Sequence, residues 1–138
     1  MKHPTTLFLG TALCGALLGA AAPAAAQNPG PGKVLELCLA RAGGVTADMI
    51  ECIGTETERQ DARLNQAYKA LRATLNAARQ KQLQDAQRAW ISFRDGNCAF
   101  YYDPDGGSMA RVAASDCMMS MTAERAHELE LLMPERTP

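Results

Sequence analysis

Apolar and small residues recur at spacings of three and four along most of the chain after residue 45, a pattern typical of amphipathic helices. The first such stripe contains Ile50, Ile53, Thr57, Gln60, Leu64, Ala67, Tyr68, Leu71 and Leu75. Thr46 follows Gly43 and Gly44 and is predicted to cap this run at its N-terminus. We therefore expect one long helix from Thr46 to about Leu75, with a polar middle.

A second helix is predicted downstream of the first. One stripe of it holds Leu83, Ala86, Trp90 and Phe93, and a neighbouring stripe holds Gln87, Ile91, Arg94 and Cys98. We expect this helix to end near Asn97 or Phe100, because turn-forming residues fill positions 103–107 just beyond it.

Ser108 is placed to cap a third helix, which we expect to run to about Met133, just before Pro134. No stretch alternates apolar and polar residues for long enough to predict a strand. The expected fold is therefore all-α, a small bundle built on a long helical hairpin plus a third helix.

The chain starts with a cationic residue, Lys2, followed by an apolar stretch over 7–22 and small residues at 24–26. This order is typical of a secretory signal peptide, and we expect cleavage after Ala26. Glycines and Pro23 interrupt the stretch, which disfavours a membrane-spanning helix, so no membrane insertion is expected after cleavage. The flanks of Cys14 differ from those of a lipoprotein site, which makes lipidation the weaker alternative.

The leader divides the chain into four predicted parts. They are a signal peptide over 1–26, a flexible spacer over 27–37, a helical domain over 38–133 and a tail over 134–138. Such a leader predicts export of the folded domain from the cytoplasm to a compartment where disulfides persist.

Charge and aromatic content argue against nucleic acid as a partner. The chain has 14 Lys and Arg against 15 Asp and Glu, and neither sign forms a long run. Most aromatic residues beyond the leader lie between Trp90 and Tyr102, with no basic stripe beside them.

Four cysteines lie beyond the leader, and we expect them to form disulfides that staple a domain too small to rely on its core alone. Three connectivities are possible. Local pairs, Cys38 with Cys52 and Cys98 with Cys117, fit the expected helices best. A zinc site is the alternative, but the close two-residue spacing and the histidine partners of structural zinc sites are absent.

An ordered set of residues gives the chain its resemblance to a known family. The set is Glu51-Cys52, Leu64-Asn65-Gln66-Ala67-Tyr68, Ala86-Gln87-Arg88-Ala89-Trp90, Phe93-Arg94-Asp95, Cys98, Gly106-Gly107-Ser108, Cys117, Thr122, Arg125 and Leu129. In order and spacing it resembles the LprI-type lysozyme-inhibitor domain, from Cys38 to about Leu132. The resemblance implies a cell-envelope protein whose partner is a lysozyme or another envelope protein.

The motif residues are interpreted mainly as determinants of the fold. Those residues are Leu64, Asn65, Tyr68, Gln87, Trp90, Arg94, Asp95, Gly107 and Arg125. We expect Trp90 to anchor the core, and Asn65 and Gln87 to bond across a helix interface. Arg94 is expected to pair with a carboxylate, such as that of Asp61 or Glu124. A binding site is indicated instead if Asn65, Tyr68, Arg94 and Asp95 meet at one open groove.

No catalytic residues are predicted, because the single histidine beyond the leader, His127, has no nucleophile motif to serve. No cofactor or metal is expected. Two weaker metal signals remain as alternatives. Asp103 and Asp105 precede a glycine as in the start of a calcium loop, but the later ligands are missing. Four methionines near His127 form a set that can bind Cu(I), namely Met109, Met118, Met119 and Met121.

Two acidic patches are candidates for binding a basic partner. One is the group Glu56, Glu58 and Asp61 on the long helix, which we expect to lie on a solvated face. The other is the segment from residue 101 to Ser108, whose candidate contact residues are Tyr101, Tyr102, Asp103 and Asp105. We prefer this second segment, because tyrosines are good interface anchors and a stapled loop loses little entropy on binding.

Overall fold

The computed structural model describes residues 32–134, which form four helices and no strand. The helices are α1 (Lys33–Ala42), α2 (Thr46–Ala73), α3 (Ala77–Tyr101) and α4 (Gly107–Leu131). The all-α fold is therefore confirmed, with the predicted long hairpin in α2 and α3. The predicted signal peptide over 1–26 lies outside the described residues, as does the tail beyond Pro134.

The short helix α1 corrects the predicted flexible spacer over 27–37, because the chain is helical from Lys33 onwards. Its inner face carries Leu35, which is buried against α2 and α4. The helix ends at Gly43, which has a φ of 56°, and Gly44 follows with a φ of 86°. These left-handed conformations suit glycine, and they turn the chain directly into α2.

The helix caps differ from those predicted. Thr46 is the first residue of α2, and Val45 occupies the cap position. Likewise Gly106 rather than Ser108 precedes α4. The side-chain cap that does form is at Asn76, whose Oδ1 accepts a hydrogen bond of 3.1 Å from the backbone N–H of Arg79.

Helix α4 is the element against which the others assemble. It packs along α2 and also along α3, whereas α2 and α3 contact each other little beyond their short connection. One core cluster joins α1, α2 and α4 around Leu35, Ile53 and Met119. A second joins α2 and α4 around Leu64 and Leu129, with Leu71, Ala67 and Ala126. The two long arms of the hairpin are thus separated on one side.

Both disulfides follow the preferred local pairing. Cys38–Cys52 joins α1 to the second turn of α2, and Cys98–Cys117 joins the end of α3 to the middle of α4. Each closes a loop across a turn, so each limits how far the connected helices can separate in the unfolded chain.

Part of the α2–α4 interface is filled by a network of polar side chains. The sequence did not indicate this network. Glu56 is 2% exposed and accepts hydrogen bonds from Arg59 Nη1 at 2.7 Å and Gln60 Nε2 at 2.6 Å. Only Glu58 and Asp61 of the acidic group predicted on this helix are exposed. That prediction was wrong for Glu56, because its side chain is buried and its charge is satisfied by neighbours one turn away on α2.

The same interface contains an ion pair between the two helices. Arg63 Nε lies 2.7 Å from Glu130 Oε1, and Arg63 Nη2 lies against the other carboxylate oxygen. The hydrogen bonds from Arg63 hold the pKa of Glu130 below its usual value, and those to Glu130 raise the pKa of Arg63. No helix within residues 32–134 combines the length and apolarity needed to cross a membrane.

Candidate functional site

The separation of α2 and α3 leaves an open groove, which contains most of the motif residues. Its first part has a volume of about 270 Å³, and the residues that line it from both helices are Asp61, Leu64, Asn65, Tyr68, Gln84, Gln87, Arg88, Trp90, Ile91 and Arg94. Its second part, of about 560 Å³, is lined by Asn65, Tyr68, Lys69, Arg72, Ala73, Gln80 and Gln84. Asn65, Tyr68 and Gln84 line both parts, so the groove is continuous along the hairpin.

Trp90 lies where the groove meets α4. It is half-buried and packs against the second core cluster, as predicted for a core anchor. Two guanidinium groups lie over its ring, that of Arg94 at 5.1 Å and that of Arg125 at 5.9 Å from the centroid. The tryptophan is therefore held in place by cations from α3 and α4, and it also forms part of the groove wall.

Gln87 makes the bond across a helix interface that the sequence predicts, because its Oε1 accepts from Arg125 Nε at 3.0 Å. Asn65 does not. Its Nδ2 donates to Asp61 Oδ2 at 2.9 Å within α2. The reason is geometric, since residues four apart lie side by side on a helix, whereas α3 diverges from α2 at this level.

Arg94 pairs with a carboxylate, as expected, but with neither of the two residues named as examples. The guanidinium donates to the adjacent Asp95, with Nη2 2.8 Å from Oδ1, and to Thr122 Oγ1 at 3.3 Å on α4. Neither Asp61 nor Glu124 pairs with it among the described residues. The stacking on Trp90 turns the side chain toward α4, which places its neighbour Asp95 within reach. Asp95 lies on the far side of Arg94 and does not line the groove.

The loop between α3 and α4 presents all four candidate contact residues to solvent. Tyr101 is 48% exposed and Tyr102 is 51% exposed. The backbone N–H of Asp105 donates to Asp103 Oδ1 at 2.9 Å, so the Asp103 side chain closes the turn itself. Gly107, with a φ of 69°, ends this turn in a conformation that other residues rarely adopt. This accounts for a glycine at that motif position.

A shallow, mainly apolar depression of about 370 Å³ lies beside this loop. It is lined by Asp95, Cys98, Ala99, Tyr102, Ala114, Ser115 and Met118, so the loop, the second disulfide and α4 all contribute to it. The neighbouring residues Phe100, which is 84% exposed, and Tyr101 add exposed aromatic surface at this end of the bundle.

The methionines do not form the exposed patch that Cu(I) binding needs. Met119 is 2% exposed in the first core cluster. Met121 lies against the second disulfide, with its sulfur 3.7 Å from Cys98 Sγ. Successive helical positions point these thioethers in different directions. Within residues 32–134, no three His, Cys, Asp or Glu side chains are placed to hold a metal ion.

Comparison with known proteins identifies similar sequences. A family model described as lysozyme inhibitor LprI matches residues 38–129. A protein of Rhizobium meliloti (strain 1021), described as uncharacterised, is 33% identical over 132 residues, which cover 85% of this chain and 89% of that protein. No solved structure matches the chain significantly.

Proposed function

The chain belongs to the lysozyme inhibitor LprI family, and from this membership and the geometry of the α3–α4 loop we propose that it binds and inhibits a lysozyme. Its family is one of inhibitors, so the proposed activity is binding. The family and the two disulfides indicate a location outside the cytoplasm. Within that range, we propose the periplasm or the medium around a bacterial cell, because the leader predicts export.

The observation that carries the proposal is the exposed aromatic cluster at the stapled end of the bundle. Phe100, Tyr101 and Tyr102 are consecutive and begin two residues after the disulfide residue Cys98, and each is between about half and 84% exposed. A monomeric domain gains nothing from exposing such residues, whereas an interface gains most of its energy from them. Because the disulfide fixes the end of α3, little freedom is lost when a partner binds.

Charge at the same end suits a lysozyme. Vertebrate-type lysozymes are strongly basic, and the loop presents Asp105 and the adjacent Asp103 to solvent. Among the described residues Asp105 makes no ion pair, so its charge is available to a cationic partner. Such complementarity raises the association rate and orients the partner more than it raises the affinity. The apolar depression beside Tyr102 offers space for one side chain of the partner.

The test is an inhibition titration of the oxidised protein against a basic c-type lysozyme and a g-type lysozyme. The variant Tyr101→Ala/Tyr102→Ala should raise the inhibition constant at least about tenfold, the size expected for hot-spot aromatics. Asp105→Asn should lower the association rate and its dependence on salt. Asp103 is left unchanged, because its carboxylate closes the turn.

Phe93→Ala is the matched control, because Phe93 is an aromatic residue of α3 that is 62% exposed and lies outside the loop. It should inhibit as the unchanged protein does. Equal inhibition by the double tyrosine variant would show that the loop is not the contact surface. Failure of the unchanged protein to inhibit either enzyme would refute lysozyme as the partner.

A further inference from the structure

We propose that the groove between α2 and α3 is a second binding site, separate from the α3–α4 loop, and that its ligand is an anionic oligosaccharide. The site is formed by the two arms of the hairpin, where Tyr68 and Trp90 stand among amide and cationic side chains. The loop residues discussed above do not line it. The inference is thus independent of whether the protein inhibits a lysozyme.

The first argument is charge. Lys69, Arg72 and Arg88 line the groove, and none of them makes an ion pair within residues 32–134. Among the residues that line the two parts of the groove, Asp61 has the single carboxylate, and this carboxylate already accepts a hydrogen bond from Asn65. The whole chain has a formal net charge of −1, so this excess of cations is local. Such a groove attracts an anion.

The second argument is the set of amides between these cations. Gln80 donates through Nε2 to the carbonyl of Leu75, which leaves its Oε1 as an acceptor. Asn65 likewise keeps its Oδ1, and Gln84 makes no side-chain hydrogen bond among the described residues. These groups supply donors and acceptors together, and a sugar hydroxyl needs both at once.

An acidic peptide suits this groove less well. Peptides dock by adding a strand to a sheet edge, by laying an apolar helix stripe into an apolar groove, or by presenting acidic groups to a cluster of arginines. Residues 32–134 have no strand, and the apolar residues of the groove are separated by polar ones. The two unpaired arginines, Arg72 and Arg88, line different parts of the groove and do not form such a cluster. Sugars present hydroxyls next to C–H faces, which corresponds to amides set beside Tyr68 and Trp90.

The length of the groove favours an oligosaccharide over a small anion. On α2 its lining residues run from Asp61 to Ala73, which spans about 18 Å at the rise of an α-helix. The unpaired cations lie in both parts of the groove, with Arg88 in the first and Lys69 and Arg72 in the second. A ligand that repeats its carboxylates along a chain satisfies them, whereas a single phosphate or carboxylate reaches only one.

Isothermal titration calorimetry of the oxidised protein, without lysozyme, tests the proposal by measuring the affinity for a sugar probe. The probe is the tetrasaccharide of alternating N-acetylglucosamine and N-acetylmuramic acid, whose muramic residues each carry a carboxylate. Chitotetraose is the neutral control of equal length, and hexaglutamate is the peptide control. We expect the charged tetrasaccharide to bind at least about fivefold more tightly than either control, with an affinity that falls as salt rises.

Variants assign the binding to the groove. Lys69→Gln/Arg88→Gln should weaken binding of the charged tetrasaccharide by about tenfold. Lys33→Gln/Arg41→Gln, which removes the same two charges from exposed positions on α1, should leave it unchanged. Tyr101→Ala/Tyr102→Ala should also leave it unchanged, because the loop is a separate surface.

Four results would overturn the proposal. They are no binding of the charged tetrasaccharide, equal binding of chitotetraose, tighter binding of hexaglutamate, and an equal loss in the α1 and groove variants. The second would show that charge is not recognised, and the third that the ligand is a peptide. Loss of lysozyme inhibition alone, with tetrasaccharide binding retained, would refute only the function proposed for the loop.

Discussion

Replacement of Arg125 by methionine tests the structural role of the motif most directly. The Arg125 side chain is 10% exposed and donates to Gln87 Oε1 at 3.0 Å. Methionine keeps much of the buried stem but removes the donor, which leaves the buried Gln87 amide without its partner at a cost of about 1–3 kcal/mol. The contact with Trp90 adds about 0.5–1 kcal/mol. The bond to Glu128, itself 59% exposed, adds almost nothing.

We therefore expect Arg125→Met to lower the free energy of unfolding by about 2–4 kcal/mol. With a urea m-value of about 1–2 kcal/mol/M for a domain of this size, the midpoint falls by about 1–4 M. Circular dichroism at 222 nm is the right probe, because the fluorescence of Trp90 changes with its neighbours. Gln87→Leu and the double variant complete a double-mutant cycle.

The double variant should lose less stability than the two single variants together, by about 1–2 kcal/mol, because two apolar groups replace two bonded polar ones. Additivity within about 0.5 kcal/mol would refute the reasoning. It would mean that Gln87 and Arg125 are each satisfied by water, and that the motif positions are occupied for a reason other than this bond.

Two other predictions concern links between helices. Cys98→Ala/Cys117→Ala should lower the free energy of unfolding by about 3 kcal/mol, since the bridge spans 19 residues; an unchanged urea midpoint would contradict this. Because Arg63 lowers the pKa of Glu130, the ion pair stabilises the fold above the unfolded pKa and is lost as pH falls through the lower folded value. Glu130→Gln should therefore lower the free energy of unfolding by at most about 1 kcal/mol at pH 7. Below about pH 4.5, the melting temperature of this variant should fall less steeply with pH than that of the unchanged protein. An equally steep fall in both proteins would refute the prediction.

The spacing of apolar residues was sufficient to predict the long helices and many of the residues that form the core. Ile53, Leu64 and Leu71 all lie on the stripe predicted for the first long helix, and all are buried. The local disulfide pairs followed from the helices, because each joins segments on either side of a turn. Short segments were harder, since α1 contains too few turns for its pattern to stand out from a linker.

The groove could not be predicted from spacing, although its residues could. A stripe assigns Asn65, Gln87 and Arg94 to helix faces, but it does not say where two helices diverge or which rotamer a long side chain adopts. Arg94 therefore received the wrong partner, and the burial of Glu56 was missed. For Arg94, the second hydrogen bond goes to Thr122 on α4, which is distant in sequence.

The central position of α4 sets the order in which this domain can be completed. A chain that crosses a membrane N-terminus first delivers α1 and α2 together, and Cys38 can meet Cys52 at once. The hairpin of α2 and α3 cannot complete its packing at this stage, because both helices pack mainly against α4, which has not yet crossed the membrane. Only when residues 107–131 arrive can the second core cluster close and Cys98 reach Cys117. A chain that stops within α4 therefore leaves the hairpin without its main packing surface, as an open substrate for proteases.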